Sequence, residues 1–63
     1  MKGIEYQRKK IGLSQIELAI KVGVSQANIS QWESGSALPR ADKLPALAKA
    51  LHCKIDDLFK ETA

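Results

Sequence analysis

Apolar residues along this chain recur at helical spacing and nowhere alternate as a strand would require. Leu18, Ala19 and Val22 fall on one face of a helix over residues 15–22, and Ile29 and Trp32 on one face of another over 26–33. Leu44, Leu47, Ala48 and Leu51 make a single apolar stripe over 43–51. Ahead of these, Ile4, Gln7 or Arg8, and Ile11 share an inward face of a helix over 4–10, which Gly12 ends. A short last helix over 55–60 carries Leu58 and Phe59, and the last three residues should fray. The pattern predicts a compact all-α domain of five helices.

Local grammar fixes the boundaries of the second and third helices. Ser14 precedes Gln15, with Glu17 three residues on, which is a capping box, and Leu13 and Leu18 flank it as a hydrophobic staple. The grammar repeats directly: Ser25 caps the next helix and Val24 and Ile29 form its staple. Gly23 lies between, where the first of the pair must stop and positive φ is cheapest in glycine. Ala19 faces the crossing point, where a larger side chain would push the two helices apart. Gly35 stops the third helix, and 36–42 is a loop containing Pro39. Pro45 places the start of the fourth helix. With Asp42 as N-cap, Pro45 is its third residue, where an amide has no intrahelical partner anyway.

The outward face of the third helix carries the chemistry. Gln26, Ala27, Ser30, Gln31 and Ser34 are small or hydrogen-bonding and uncharged, where a solvated face would ordinarily carry Lys and Glu. Glutamine can make a bidentate contact to an adenine edge in a major groove. Two short helices joined at a tight turn, the second with such a face, form a helix-turn-helix with a DNA-recognition helix.

Composition narrows the alternatives. Sixty-three residues make one domain, spanning 1–63, with room for one small core; a chain this short buries only about 60 % of its unfolded surface. No run is long enough to span a membrane and no signal-peptide pattern is present. One cysteine excludes an internal disulfide and a Cys-based zinc site, so no metal or cofactor is expected, and the chain reads as cytoplasmic. The net charge of +3 is mild. Its placement says more: Lys2, Arg8, Lys9 and Lys10 precede the motif, while Asp56, Asp57 and Glu61 sit near the C-terminus, so a basic end can face a polyanion.

With these residues in place, the chain resembles the phage-repressor and Cro-type helix-turn-helix family, often called XRE-like, over roughly 4–59. The specific stretches are LSQIELAIKVGVSQANISQWESG and LPALAKALHCKIDDL. The resemblance implies five helices, a DNA-binding surface on the second and third, a homodimer on a palindromic operator, and a prokaryotic or phage origin. It implies base contacts by Gln26, Ala27 and Gln31, with Ser30 on the same face. It assigns Gln15 to a phosphate and to a hydrogen bond that braces Gln26, and Asn28, Ser34 and Arg40 to backbone contacts. Arg8 and Glu33 match an ion pair linking the first helix to the end of the third. The departures are Ala27 where a longer polar residue is frequent, His52 for the usual Gly, Lys54 for a small helix cap, Gln7 for Leu, and Ile16 and Ile20 at usually polar positions. Lys54 should start the fifth helix poorly. His tolerates left-handed geometry better than most residues.

Several residues admit a plainer reading. Trp32 continues the Ile29 face and belongs to the core. Cys53 matches an apolar position and reads as a buried, inert thiol, since His52 beside it faces elsewhere and no third group orients the pair. Asp56 and Asp57 complement the dipole at a helix start. Ile16 and Ile20 either extend the core toward the fourth or first helix, the preferred reading, or form an exposed patch for a partner. Ile55, Leu58 and Phe59 cannot all turn inward and are candidate dimer contacts. The expectation is a sequence-specific transcriptional regulator, most simply a repressor. The rival is a protein-interaction module of antitoxin or antirepressor type. An enzyme has little support: one His, one Cys and no phosphate loop.

Overall fold

The computed structural model describes residues 1–60, so the expected fraying of residues 61–63 lies outside the described residues. Its helices are α1 (Lys2–Lys10), α2 (Gln15–Val22), α3 (Gln26–Ser34), α4 (Leu44–Ala50) and α5 (Ile55–Leu58), with a single 3₁₀ turn over Ala41–Lys43 before α4. No strand occurs among the described residues. The five-helix architecture expected from the sequence is the one observed.

α2 keeps its expected boundaries and α3 its expected start because their caps form, while α3 runs one residue further than expected, to Ser34. The Ser14 hydroxyl accepts from the Glu17 amide at 3.0 Å and the Ser14 amide donates to the Glu17 carboxylate at 2.9 Å. Ser25 Oγ accepts from the Asn28 amide at 3.1 Å. Gly23 takes left-handed φ of 82°, and its neighbour Val24 donates back to Ala19 O at 3.0 Å, closing α2. The same closure ends α4, where Cys53 donates to Ala48 O at 3.0 Å and His52 holds the left-handed position with φ of 54°. A histidine there carries the steric penalty that glycine avoids.

The core is Ile4, Leu18, Ala19, Val22, Ile29, Trp32, Leu47, Ala48, Leu51 and Leu58. Leu13, Val24 and Leu44 pack against it half-buried, the first two as the staples require. Each of the five α-helices therefore contributes to one core, as a chain of this length needs.

Several expectations need correction. α1 starts at Lys2, two residues early, and Gly3 lies in it against the end of α5. A Cβ on Gly3 would stand 2.3 Å from the Leu58 carbonyl oxygen, so only glycine permits this approach. Ile11 does not face inward: α1 has ended, and Ile11 is 39% exposed as its C-cap. Asp42 is not the N-cap of α4. The 3₁₀ turn takes up 41–43 with Lys43 N donating to Arg40 O, and Pro45 becomes the second residue of α4. Either position leaves the missing proline amide in the first turn, where it costs no hydrogen bond.

α5 is one turn, not a helix to residue 60, and Phe59 is its C-cap. Leu58 is fully buried and is therefore not a dimer contact; Ile55 and Phe59 are exposed. Lys54 supplies no side-chain cap, as expected of it. Its amide instead donates to the Asp57 carboxylate at 3.0 Å. Ile16 and Ile20 do not extend the core, being 53% and 75% exposed. At about 100° per residue they lie across α2 from the arc that Leu18 and Val22 already occupy. Cys53 is half-buried rather than buried. Burial first, and then the Asp57 charge, raise its thiol pKa above the ordinary value, so its thiolate is disfavoured.

Candidate nucleic-acid interface

The candidate surface is the outward side of α3 together with the α2 N-terminus. α3 is nine residues, QANISQWES, and buries Ile29, Trp32 and Glu33. Those three anchor the helix and leave Gln26, Ala27, Asn28, Ser30, Gln31 and Ser34 all exposed. This face carries no formal charge, since the one acidic residue of α3 points inward. Two glutamine amides thus stand in water on a rigid helix that is capped at its first turn and closed at its last by Gly35.

The polar residues behind this face are joined. Arg8 donates from Nε to Glu33 Oε2 at 2.6 Å and from Nη2 to Oε1 at 3.1 Å, a bidentate pair buried between α1 and the end of α3. Arg8 also donates from Nη1 to Leu13 O at 2.8 Å. The hydrogen bonds to Glu33 raise the guanidinium pKa more than burial lowers it, so Arg8 stays charged despite its burial. Gln15 Nε2 donates to Glu33 Oε1 at 2.9 Å, and Gln26 Nε2 donates to Gln15 Oε1 at 3.5 Å. A continuous line of side chains thus runs from the buried pair to the first residue of α3.

Around this line the remaining candidates are placed as follows. Asn28 accepts from the Ser25 hydroxyl at 3.0 Å, which ties it to the helix cap. Ser34 donates to Gln31 O at 3.2 Å and shares a 2.7 Å hydrogen bond with Ser36. Arg40 is exposed at the entry to the 3₁₀ turn, beyond the end of α3. The Met1 amino group donates to the Trp32 carbonyl, so α1 begins against the end of α3. Of the basic residues ahead of the motif, Lys2, Lys9 and Lys10 are exposed, but Arg8 is not: it is consumed by Glu33. No buried side-chain polar atom lacks a partner among the described residues.

The expected Gln15–Gln26 and Arg8–Glu33 pairs are therefore both present in the fold. What the sequence reading missed is the bond between them, Gln15 to Glu33. The two residues are 18 apart, and no helical or capping spacing connects them. Ile16 and Ile20 lie on the exposed side of the same α2, and Leu38, 72% exposed, was not anticipated. Among the described residues no cluster of His, Cys, Asp and Glu could hold a metal ion, and no helix is long and apolar enough to cross a membrane.

The helix-turn-helix family model matches residues 4–58. Repressor protein C2 of Salmonella phage P22 is 46% identical over 57 residues, covering 90% of this chain and 26% of that protein. The cryptic phage CTXphi transcriptional repressor RstR of Vibrio cholerae is 38% identical over 52 residues, covering 82% of this chain and 46% of its own length. The chain thus spans between about a quarter and a half of these relatives. Among solved structures, the P22 c2 repressor in complex with a synthetic operator superposes with a TM-score of 0.87 at 44% identity, covering 94% of this chain and 89% of that one.

Proposed function

This chain belongs to the helix-turn-helix family, and from that premise we propose that it binds double-stranded DNA sequence-specifically and acts as a transcriptional repressor. The observation that carries this reading is the outward face of α3: Gln26, Ala27, Ser30 and Gln31 exposed and uncharged on a rigid, capped helix. α3 enters the major groove, where Gln26 and Gln31 read base edges and Ala27 and Ser30 allow close approach. Gln15, Asn28, Ser34 and Arg40 contact the backbone and set the register. The operator complex of the P22 c2 repressor, whose fold this chain shares, supports the docking mode.

A single module of this size makes few base contacts, so useful specificity calls for two copies. We propose a homodimer on a palindromic operator, with half-sites about 34 Å apart and Ile55 and Phe59 as contact residues, both being exposed. Bound at a promoter, the dimer excludes polymerase sterically. The reading assigns the chain no catalytic role and no metal or cofactor, and it places the chain in the cytoplasm of a prokaryote, as a prokaryotic or phage-encoded protein.

Selection of duplexes from a random pool, with the recovered complex sized, tests the proposal. A palindromic enriched site carrying two copies of the chain is expected. A folded chain that enriches nothing above non-specific binding points to the second reading, a protein-interaction module of antitoxin or antirepressor type. That reading is favoured by one observation: Ile16 and Ile20, four apart and exposed on α2. Ile16→Glu/Ile20→Glu then abolishes partner binding while leaving thermal stability within about 0.5 kcal/mol of the parent.

A further inference from the structure

Gln15 lies between two groups that constrain opposite ends of its amide. An ionised carboxylate only accepts, so Glu33 Oε1 requires the NH₂ end of Gln15, 2.9 Å away. The Gln15 carbonyl then points the other way and can only accept. Gln26 answers with its own NH₂ end at 3.5 Å. Each amide in the line is thereby oriented by the one before it, and the first is oriented by a carboxylate with no donor to offer. Gln26 is left with one free N–H and its carbonyl oxygen. Those are the donor and acceptor that adenine N7 and N6 require.

We propose that Glu33, held in place by Arg8 and acting through Gln15, fixes the direction in which Gln26 presents its amide, and so is a positioning residue for base selectivity. The inference rests on the DNA-binding reading above, but the relay itself is a property of the free protein. Arg8 and Glu33 then do more than join α1 to α3: removing the carboxylate leaves Gln15 free to turn end for end.

Two variants separate this role from a purely structural one. Glu33→Gln keeps the shape of the side chain. Its single oxygen cannot serve both Arg8 Nε and the position that Arg8 Nη2 and Gln15 share, so the Gln15 amide is no longer held in one direction. Arg8→Met/Glu33→Met removes the carboxylate without leaving a buried charge, and it carries the test if the single variant does not fold. Each is measured against the selected duplex and against duplexes changed at one base pair. Both variants are expected to lose discrimination at the base under Gln26 by roughly fivefold or more. Discrimination under Gln31 and affinity for a non-specific duplex stay within about twofold. Adding Gln15→Ala to Glu33→Gln produces no further loss, because both act through one path.

In the free protein, the Gln15 and Gln26 side-chain amide NMR signals should shift together on Glu33→Gln. A folded variant with full discrimination under Gln26, or one with equal loss at every position, overturns the proposal. So does a Gln26 amide signal that stays in place. If the parent binds all duplexes alike while the two amide signals still move together, the DNA-binding reading has failed and the relay has not, which leaves Glu33 no selectivity to set.

Discussion

Gly3→Ala should destabilise the fold although alanine is the better helix former. Ala in place of Gly inside a helix contributes about 1 kcal/mol, and less here, in the first turn of α1. Against that, the new Cβ meets backbone: 2.3 Å to the Leu58 carbonyl oxygen and 2.6 Å to that of Asp57. No rotamer relieves a clash between a methyl and two carbonyls. α1 and α5 must separate by about an ångström to restore ordinary contact, and the seam they part is lined by Ile4 and Leu58, both fully buried. Overpacking of this kind costs about 1–3 kcal/mol; forced backbone movement puts this case at the upper end. The net expected loss is about 1–2 kcal/mol. In a domain of 63 residues that lowers the thermal midpoint by roughly 5–15 °C. Urea unfolding followed by circular dichroism reads it as a lower midpoint at unchanged slope. A variant as stable as the parent, or more so, would mean that α1 and α5 do not approach this closely.

Other outcomes follow from the same geometry. Gln31→Ala should relax preference at one operator position at a cost of about 1–3 kcal/mol. Arg40→Ala should weaken binding to all duplexes alike and flatten the salt dependence by about one unit; the reverse pattern would put the α3 register in error. His52→Gly should stabilise by about 0.5–1 kcal/mol, since φ of 54° strains a side chain that glycine lacks, and a midpoint that fails to rise refutes the strain. Below about pH 4.5 the fold should weaken through its caps. The Glu17 pKa is lowered by hydrogen bonds from the Ser14 amide and hydroxyl, and the Asp57 pKa by the Lys54 amide and Lys60. A lowered folded-state pKa means stability that is present at neutral pH and lost as pH falls through that value. Glu17→Gln/Asp57→Asn should therefore flatten the acid limb of a stability titration; an unchanged limb places the acid sensitivity elsewhere.

What could be read from the sequence was what nearest neighbours along the chain decide. Ser14, Glu17, Gly23 and Ser25 act over three or four residues, so the turn between α2 and α3 was placed to the residue. Trp32 was placed by its period with Ile29, which the staple with Val24 had already turned inward. Ile16 and Ile20 misled because spacing of four is necessary for a core stripe but not sufficient; the arc was already filled by Leu18, Ala19 and Val22. Pro45 was compatible with two helix starts, and only the turn after Arg40 chose between them. Gly3 had no local signal, because its constraint comes from a carbonyl 55 residues away. The candidate site divides in the same way. The glutamines of α3 announce themselves as an uncharged outward face, whereas the bond from Gln15 to Glu33 exists only once α1, α2 and α3 have packed.

That bond bears on why an ion pair sits at the joint of so small a fold. Replacing one partner alone, as in Arg8→Met, leaves the Glu33 carboxylate buried without its main donor and should cost about 3–5 kcal/mol. For a chain of this size that is a large share of all the stability it has. Replacing both with apolar residues of similar volume, as in Arg8→Met/Glu33→Met, is often neutral or stabilising elsewhere, and here it should cost less than 1 kcal/mol relative to the parent. If so, stability does not explain a buried pair where an apolar one would serve. Its use then lies in what an apolar pair cannot provide: a donor to the Leu13 carbonyl and a fixed acceptor beside Gln15. Denaturation of the single and double variants side by side decides the point. A double variant as unstable as Arg8→Met alone would make the pair a structural necessity and leave its effect on Gln26 a by-product.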